Sequence, residues 1–359
     1  MPTDSQGEIR KLTFAQAVNE GLHQAMEADE SVICYGLGVT DPGGVFGTTE
    51  NLESTFGPDR VFDMPTSENA MTGVAVGAAI GGLRPVMTHQ RLDFFLLAMD
   101  QLVNSAAKWH YMFGGQFNVP ITIRLIIGRG WGQGPTHSQS LHSWFTHIPG
   151  LKVVMPTTPA DAKGLLLASI DDPNPVVFLE HRWLHNVSDH VPTEAARVPL
   201  GHANLARVGQ DVTIVSSGYL TVEAIQAAEY LQSIDIGVDV IDLRTLNPLD
   251  WHTIMESVHR TGRLLTLDSA PITGSLAQGI AGRVATEAFT SLKSAPLVLA
   301  HADAPEPTSY GLSQGFHVRA RDIAMAAVQL MGTRPDGLMD ALPIPYPHDV
   351  PGNWFTGPF

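Results

Sequence analysis

The sequence predicts an α/β protein built from two doubly wound domains whose sheets are mainly parallel. At 359 residues the chain is longer than one hydrophobic core normally serves. In its first half, short apolar segments alternate with helical ones, which is typical of a parallel sheet covered on both faces. The same alternation resumes after residue 208. The predicted strands of the first half are SVICYG, RVFDM, RPVMTH, ITIRLII, LKVVM and PVVFLE.

The helices between these strands are predicted from longer segments with apolar residues at helical spacing. LDFFLLAMDQLVNSAAKWHYMF and ADAKGLLLASI are such segments in the first half. A second α/β domain is predicted in the same way. Its predicted strands DVTIVSSG, GVDVIDL, RLLTLD and PLVLA alternate with the helices TVEAIQAAEYLQSI, WHTIMESVHRTG and LAQGIAGRVATEAF.

Shifts in composition set the boundaries between these parts. A stretch with Pro, Asp and Gly and without clear periodicity separates the two alternating regions, as a linker does. The tail is rich in Pro and Gly but ends in Trp354, Phe355 and Phe359. Because exposed aromatic side chains are costly, we expect the tail to lie along a surface groove or a partner. The predicted parts are a first domain at 1–192, a linker at 193–208, a second domain at 209–330 and the tail at 331–359.

Composition and charge exclude several classes of function. The net charge is −15 and Lys and Arg form no cluster, which excludes a nucleic-acid surface. Hydrophobic residues make up 44% of the chain and charged residues only 16%, which predicts a large subunit interface. Cys34 is the one cysteine, so we expect no internal disulfide and a buried thiol in a reducing cytoplasm. The N-terminal residues have the layout of neither a signal peptide nor a transit peptide.

One acidic residue heads an otherwise uncharged segment. Glu68 precedes fifteen residues without a charge, among them Gly73, Gly77 and Gly81 one helical turn apart. A membrane span would need about 20 apolar residues, so the segment predicts a buried, close-packed helix, capped by Ser67 or its neighbours. The helix dipole favours an acid in the first turn, which gives Glu68 an ordinary structural explanation. A catalytic role for Glu68 is the alternative.

Familiar cofactor and nucleophile motifs are missing. GLGVTD has Asp41 where the dinucleotide fingerprint requires glycine, and neither a P-loop nor a GxSxG motif occurs. His181 and His185 directly follow a predicted strand, which argues against a metal pair on one helix face. His137 follows the Gly-rich loop GRGWGQGPT, whose backbone allows close approach to a ligand, although ordinary packing is the alternative. One acid and one histidine suit an enzyme whose difficult chemistry a cofactor supplies.

Several blocks in the same order carry a specific resemblance. They are RVFDMPTSENAMTGVAVGAAIGGLRPV, AMDQLVNSAAKWHYMFGG, HSQS, PGLKVVMP, DAKGLL, NPVVFLE, DVTIVSSG and VIDLRTLNPLD. Together they resemble the beta chain of thiamine-diphosphate-dependent 2-oxoacid dehydrogenases of the pyruvate, branched-chain and acetoin type, within the transketolase-like group. The resemblance runs from about residue 10 to about residue 330.

The resemblance implies roles for four residues. Glu68 matches the acid that contacts N1′ of the cofactor's aminopyrimidine and shares a proton with it. Phe94 matches the aromatic residue that packs on the aminopyrimidine, and Leu37 falls at a cofactor-contacting position. His137 matches the histidine that faces the substrate. Glu68 and His137 are therefore the predicted catalytic residues.

The resemblance also implies partners and ions. In the family, a GDG motif on an alpha chain holds the diphosphate and Mg²⁺, and this sequence contains no GDG. An alpha subunit in a heterotetramer of two alpha and two beta chains is therefore expected, with a lipoyl acyltransferase as a further partner. A monovalent cation such as K⁺ would be bound by backbone carbonyls of Ile121, Ser169, Asp172 and Asn174.

Three features depart from the family pattern. Leu37 and Gly38 stand where the family has an acidic pair, which affects proton relay near the cofactor. Arg91 and Arg129 fall near the predicted site and favour an anionic or sugar-like substrate, although solvation or pairing with an acid is the commoner fate of an arginine. The tail is longer than the family needs and lies where it would cover the surface on which the acyltransferase docks.

Three functions remain open at this point. The first is decarboxylation of a 2-oxoacid with transfer of the acyl group to lipoamide. The second is half of a split transketolase-like enzyme that transfers a two-carbon or acyl unit to an aldehyde without lipoamide. The third is a scaffold chain without catalysis, and the presence of both Glu68 and His137 argues against it.

Overall fold

The structure, a computed structural model, describes residues 9–332 and 347–355 and forms two compact units. The first unit contains the described residues up to Ile126 together with Ile148–Leu200. The second unit contains Ile127–His147 together with the described residues from Gly201 onward.

The predicted alternation of strands and helices is present throughout both units. The strands are β1 (Ile9–Thr13), β2 (Val32–Gly36), β3 (Val61–Asp63), β4 (Arg84–His89), β5 (Thr122–Ile127), β6 (Lys152–Val154), β7 (Val176–His181), β8 (Ser188–Pro192), β9 (Asn204–Arg207), β10 (Val212–Ser216), β11 (Val238–Asp242), β12 (Thr245–Asn247), β13 (Leu264–Pro271) and β14 (Leu297–His301). The α-helices are α1 (Phe14–Ala28), α2 (Gly44–Gly47), α3 (Leu52–Phe56), α4 (Glu68–Ile80), α5 (Leu92–Phe95), α6 (Ala107–Met112), α7 (His142–Thr146), α8 (Pro159–Asp171), α9 (Tyr219–Gln232), α10 (Trp251–Thr261), α11 (Leu276–Glu287) and α12 (Ala320–Met331).

The sheet of the first unit carries its strands in the order β6, β7, β5, β4, β2, β3. β2 runs parallel to both β3 and β4, with Cys34 opposite Val61 on one side and Val86 on the other. All residues of β2 and β5 are buried, as expected for parallel strands covered on both faces. The predicted doubly wound, mainly parallel fold is therefore confirmed, and so is the buried thiol of Cys34, whose pKa burial raises to about 11.

The second unit is built around the strand order β14, β13, β10, β11, β9. Its strands are parallel except for β9, which pairs antiparallel with β11. β9 lies within the segment predicted as a linker, 193–208. This strand was not predicted from the sequence because it is only four residues long, is only partly buried and contains no continuous apolar segment.

The apolar segment after Glu68 forms the predicted helix, α4, but two details differ from the prediction. Ser67 makes no side-chain hydrogen bond to the helix start. The helix is also not buried all round, because Val74 is 56% exposed and Gly77 is exposed on the same side. Thr72, Ala75 and other residues of the opposite face pack inside the unit. An apolar sequence predicts burial, but not whether the covering surface belongs to the same chain.

The long helix predicted over residues 92–113 is present as a helical segment with changing hydrogen-bond spacing. α5 leads into a 3₁₀ turn at Leu96–Ala98, and a π-helical stretch at Gln101–Ala106 precedes α6. The spacing of apolar residues predicts which face of a helix is buried. It does not predict whether each amide hydrogen-bonds the carbonyl three, four or five residues earlier. π-helical turns are rare and are frequent at functional sites.

A fully buried ion pair crosses the sheet of the first unit. Arg124 on β5 donates from Nε to Glu180 Oε1 at 2.7 Å and from Nη2 to Glu180 Oε2 at 3.0 Å. Burial alone would raise the pKa of Glu180, but Arg124 and a hydrogen bond from His185 outweigh it and lower the pKa to about 2. The two charges are therefore held as a desolvated pair.

Part of the predicted tail is described and packs on the second unit. His348 Nε2 lies 2.7 Å from the carbonyl oxygen of Tyr310, and Arg319 donates to the carbonyls of Val350 and Pro351. Phe359 and residues 333–346 of the tail lie outside the described residues.

Across 9–332 and 347–355, no helix has both the length and the apolar character needed to cross a bilayer.

Candidate active site

Three predicted site residues lie at one edge of the first unit's sheet. β3, β2 and β4 are adjacent and parallel, so their carboxyl ends meet at the same edge. Leu37 directly follows β2, Glu68 follows β3 by five residues, and Phe94 follows β4 by five residues. In open parallel sheets this edge is where ligands bind.

Glu68 is the first residue of α4 and is only 7% exposed. Among the residues that the structure describes, none donates a hydrogen bond to its carboxylate or pairs with it. The helix start is held by other groups, since Thr72 Oγ1 donates to the Glu68 carbonyl and Tyr35 Oη donates to the Met71 carbonyl. The described chain gives this carboxylate no partner, which leaves it available to a hydrogen-bonding group of a bound ligand.

Arg91 lies at the same edge, between the end of β4 and the start of α5. It is 2% exposed. Burial, and next the positive charge of Arg182, lower the pKa of Arg91 to about 10, so the guanidinium stays charged at neutral pH. The guanidinium of Arg182 stacks 4.3 Å from the ring centroid of Phe46. The prediction placed Arg91 near the site, and two buried guanidinium groups give this region a positive character.

His137 belongs to the second unit, in the loop after β5. Its Nδ1 lies 3.0 Å from Thr136 Oγ1. The side chain is half-buried, as a group that meets a ligand would be. The residues on either side of His137, Thr136 and Ser138, line a cavity of about 510 Å³ in the second unit.

That cavity contains titratable groups that the sequence did not single out. Its lining includes Ser138, Ser140, His301, Glu306 and Phe316. Burial raises the pKa of Glu306 to about 7 and lowers the pKa of His301 to about 4. They come from separate segments of the chain, with Ser138 and Ser140 in one and His301, Glu306 and Phe316 in another, so no single pattern in the sequence identifies them together.

A second unpredicted group is a buried histidine–aspartate pair. His142 Nε2 lies 2.7 Å from Asp268 Oδ1. Asp268 also accepts hydrogen bonds from the backbone of Ala270 and Ala277. Burial raises the pKa of Asp268, but His142 and these hydrogen bonds outweigh it, so the pKa lies below its usual range. The pair joins β13, α11 and the start of α7.

Arg129 has a different setting from the one predicted. Its Nη1 donates to the Pro307 carbonyl at 2.5 Å, and its Nη2 donates to Asp349 Oδ2 at 3.0 Å. Both terminal nitrogens are therefore engaged by the second unit's own chain. The geometry makes Arg129 an anchor for the described part of the tail and gives no support to a substrate contact.

The predicted cation carbonyls already accept hydrogen bonds. Val176 N donates to the Ile121 carbonyl, and Thr122 Oγ1 donates to the Ser169 carbonyl. The Asp172 carbonyl lies 3.4 Å from Arg84 Nη1. The positive charge of Arg84 therefore lies close to one of the predicted ligands. The monovalent-cation site, whose fourth predicted ligand is the carbonyl of Asn174, stays a prediction.

Comparison with known proteins identifies the family. Residues 10–186 match the transketolase pyrimidine-binding domain, and residues 201–323 match the transketolase C-terminal domain. The chain is 42% identical over 332 residues to the acetoin:2,6-dichlorophenolindophenol oxidoreductase subunit beta of Cupriavidus necator, covering 90% of this chain and 98% of that protein. It belongs to the beta-chain family of thiamine-diphosphate-dependent 2-oxoacid dehydrogenases, and the predicted resemblance is confirmed.

Two further relatives bear on this family. The chain is 42% identical over 308 residues to the pyruvate dehydrogenase E1 component subunit beta of Rhizobium meliloti, covering 86% of this chain and 67% of that one. A solved structure described as a split gene transketolase, inactive beta4 tetramer, aligns with a TM-score of 0.74 at 20% identity, covering 90% of this chain and 99% of that one. The latter likeness concerns the fold alone.

The residues present fit the family's cofactor. A thiamine diphosphate ring system offers a pyrimidine nitrogen that can partner the unpaired carboxyl of Glu68. The match of residues 10–186 to the transketolase pyrimidine-binding domain is consistent with that fit.

Proposed function

We propose that this chain is the beta subunit of a two-subunit enzyme that decarboxylates a 2-oxoacid and transfers the acyl group to lipoamide. The buried, unpartnered carboxylate of Glu68 at the carboxyl edge of parallel strands carries the proposal. The match to pyruvate and acetoin beta subunits supports the substrate class. A lipoyl acyltransferase is the acyl-accepting partner in this proposal.

Each site residue has a distinct task in the proposed reaction. Thiamine diphosphate, when bound, supplies through its thiazolium C2 the nucleophile for the substrate carbonyl. Glu68 shares a proton with N1′ of the aminopyrimidine. Phe94 and Leu37 orient the aminopyrimidine by packing. His137 faces the substrate and holds or donates a proton at its oxygen.

An alpha subunit completes the proposed site. The missing GDG motif assigns the diphosphate and Mg²⁺ to that partner. Exposed apolar side chains support a large subunit interface, since Val74 on α4 is 56% exposed and Tyr111 on α6 is 88% exposed. We propose an assembly of two alpha and two beta chains. Separately, we propose that K⁺ binds the backbone carbonyls of Ile121, Ser169, Asp172 and Asn174.

A second substrate class is favoured by one observation. The acetoin:2,6-dichlorophenolindophenol oxidoreductase subunit beta is as similar as the pyruvate dehydrogenase subunit, at 42% identity. Acetoin is an acyloin: cleavage of its central C–C bond would release acetaldehyde where pyruvate releases CO2, and would leave the same two-carbon unit for oxidation and transfer to the acceptor. The split transketolase-like alternative has only a similarity of fold in its favour.

The function is tested by assaying this chain co-purified with the alpha chain from the same genome. Pyruvate, a branched 2-oxoacid, acetoin and a ketose phosphate are compared, each with an artificial electron acceptor and with lipoamide. We expect turnover of a 2-oxoacid or acetoin with both acceptors. Turnover of the ketose phosphate alone, with an aldehyde as acceptor, would establish the transketolase-like alternative instead.

Arg91→Met is expected to lower kcat/KM about 10- to 150-fold for substrates that carry a carboxylate and far less for acetoin. A charge-assisted hydrogen bond in a desolvated site contributes about 1.5–3 kcal/mol, and methionine cannot replace it. Arg129→Met is the matched comparison, because Arg129 holds the tail. Steady-state kinetics should show it affecting all substrates alike, and equal losses for Arg91→Met would remove Arg91 from substrate recognition.

A further inference from the structure

Three side chains from separate parts of the second unit converge on one point. His301 ends β14, Glu306 lies in the segment after it, and His317 precedes α12. One potential ligand atom from each of them lies within 4.8 Å of the other two. The rings of His301 and His317 are 5.2 Å apart and nearly perpendicular. None of these residues belongs to the cofactor site described above.

The carboxylate of this group is buried and faces inward. Glu306 is 8% exposed, and its Oε1 makes no hydrogen bond within the described part of the chain. The same oxygen lies 3.2 Å from His317 Nε2. A buried carboxylate oxygen next to an imidazole nitrogen is costly to maintain unless a cation or a proton lies between them.

We propose that His301, Glu306 and His317 bind a divalent transition metal, with zinc as the occupant. Zinc is bound by histidine nitrogen and carboxylate oxygen at about 2.0–2.2 Å, so two ligands of a tetrahedral site lie about 3.3 Å apart. The distance of 3.2 Å between Glu306 Oε1 and His317 Nε2 already matches this ligand-to-ligand spacing. The other separations require side-chain movement only, since all three are within 4.8 Å.

The arrangement leaves a fourth position open. His301 and Glu306 both line the cavity of about 510 Å³, which has room for a water molecule or a small ligand on the metal. Zinc sites with three protein ligands and an exchangeable fourth are the type that activates water or polarises a carbonyl. Ser138, next to His137, lines the same cavity.

The positive charges near this group, those of Arg129 and Arg319, each have a carboxylate partner, and Arg319 Nε lies 3.4 Å from Glu223 Oε1. Arg129 Nη1 lies 3.9 Å from Glu306 Oε1, but Asp349 accepts a hydrogen bond from Nη2 of the same arginine at 3.0 Å. The arginine is therefore compensated, and the carboxylate of Glu306 remains to offset the metal charge. Arg129 and Asp349 act as positioning residues that orient Glu306.

The proposal is tested on the tag-free full chain, freed of metal with a chelator and titrated with Zn²⁺ against a chromophoric chelator. We expect one zinc per chain. Glu306→Gln should weaken binding at least about 100-fold, because even the loss of an outer-shell contact costs 10- to 100-fold. His259→Gln is the matched control, since His259 lies in the same unit, outside the cluster, and its side chain hydrogen-bonds Ser291.

X-ray absorption of the zinc-loaded wild-type chain provides a readout that does not depend on the variants folding. We expect two imidazole nitrogens and a carboxylate oxygen at about 2.0–2.2 Å from zinc. Zinc that fails to bind, binds equally to Glu306→Gln, or has an oxygen-only shell would overturn the proposal. In those cases the three residues are a packed cluster that binds no metal.

Discussion

A Glu68→Gln variant is expected to lose turnover by about 10²–10⁴-fold while keeping its fold and its partner. Glutamine fills the same volume at the start of α4 and is neutral, so the packing around Thr72 should persist. It cannot share a proton with N1′ of the aminopyrimidine. The loss should fall on kcat rather than on KM, because the carboxyl acts in the chemical step.

Glu53→Gln is the matched control for this variant. Glu53 is also an acid in the first turn of a helix, α3, but its side chain is exposed. Its replacement should leave turnover within about twofold, since a surface charge near a helix start contributes only about 0.3–1 kcal/mol to stability. If Glu68→Gln were as active as Glu53→Gln, Glu68 would be a helix-start residue only. Size-exclusion chromatography with the alpha chain verifies that both variants assemble.

Arg124→Met is expected to destabilise the chain by about 3–5 kcal/mol. The substitution leaves Glu180 buried without the two hydrogen bonds that hold its charge. Chemical unfolding of wild type and variant measures the difference. Arg207→Met is the control, because the Arg207–Glu229 pair is exposed and should contribute about 0–1 kcal/mol.

The effect of Arg124→Met should depend on pH in a defined direction. The pKa of Glu180 is lowered from its ordinary 4.5 to about 2 in the folded chain. The pair therefore stabilises the fold above about pH 4.5, and this stabilisation is lost as the pH falls towards 2. The difference in the free energy of unfolding between wild type and variant should therefore become smaller as the pH falls from about 4.5 towards 2. A difference below about 1 kcal/mol at pH 7 would contradict the account of a desolvated pair.

The strands and the placement of Glu68 were predictable because they depend on local patterns. Continuous apolar segments such as DVTIVSSG mark buried parallel strands, and β10 occupies residues 212–216 within it. A lone acid before an uncharged helix is equally visible in the sequence. The family blocks then add the role of Glu68, which no spacing or composition could supply.

Other features depend on contacts between residues far apart in the chain. Pairing with an acid was the stated alternative for Arg129, but the sequence could not indicate that the acid is Asp349, 220 residues later. The members of the cluster of His301, Glu306 and His317 lie only five and eleven residues apart, but the described segment between β14 and α12 contains no helix or strand, so no periodic pattern indicates that they meet. The exposed face of α4 was likewise not predicted, because an apolar sequence does not indicate which of its residues the rest of the chain covers.

Hydrogen–deuterium exchange at C2 of bound thiamine diphosphate, measured by rapid quench and NMR, tests the central claim most directly. The claim is that Glu68 activates a cofactor held jointly by this chain and an alpha subunit. The co-purified pair should accelerate exchange far above free cofactor, whereas Glu68→Gln in the same pair and the beta chain alone should not. Fast exchange in the Glu68→Gln pair, or tight Mg²⁺-dependent binding and fast exchange in the isolated chain, would contradict it.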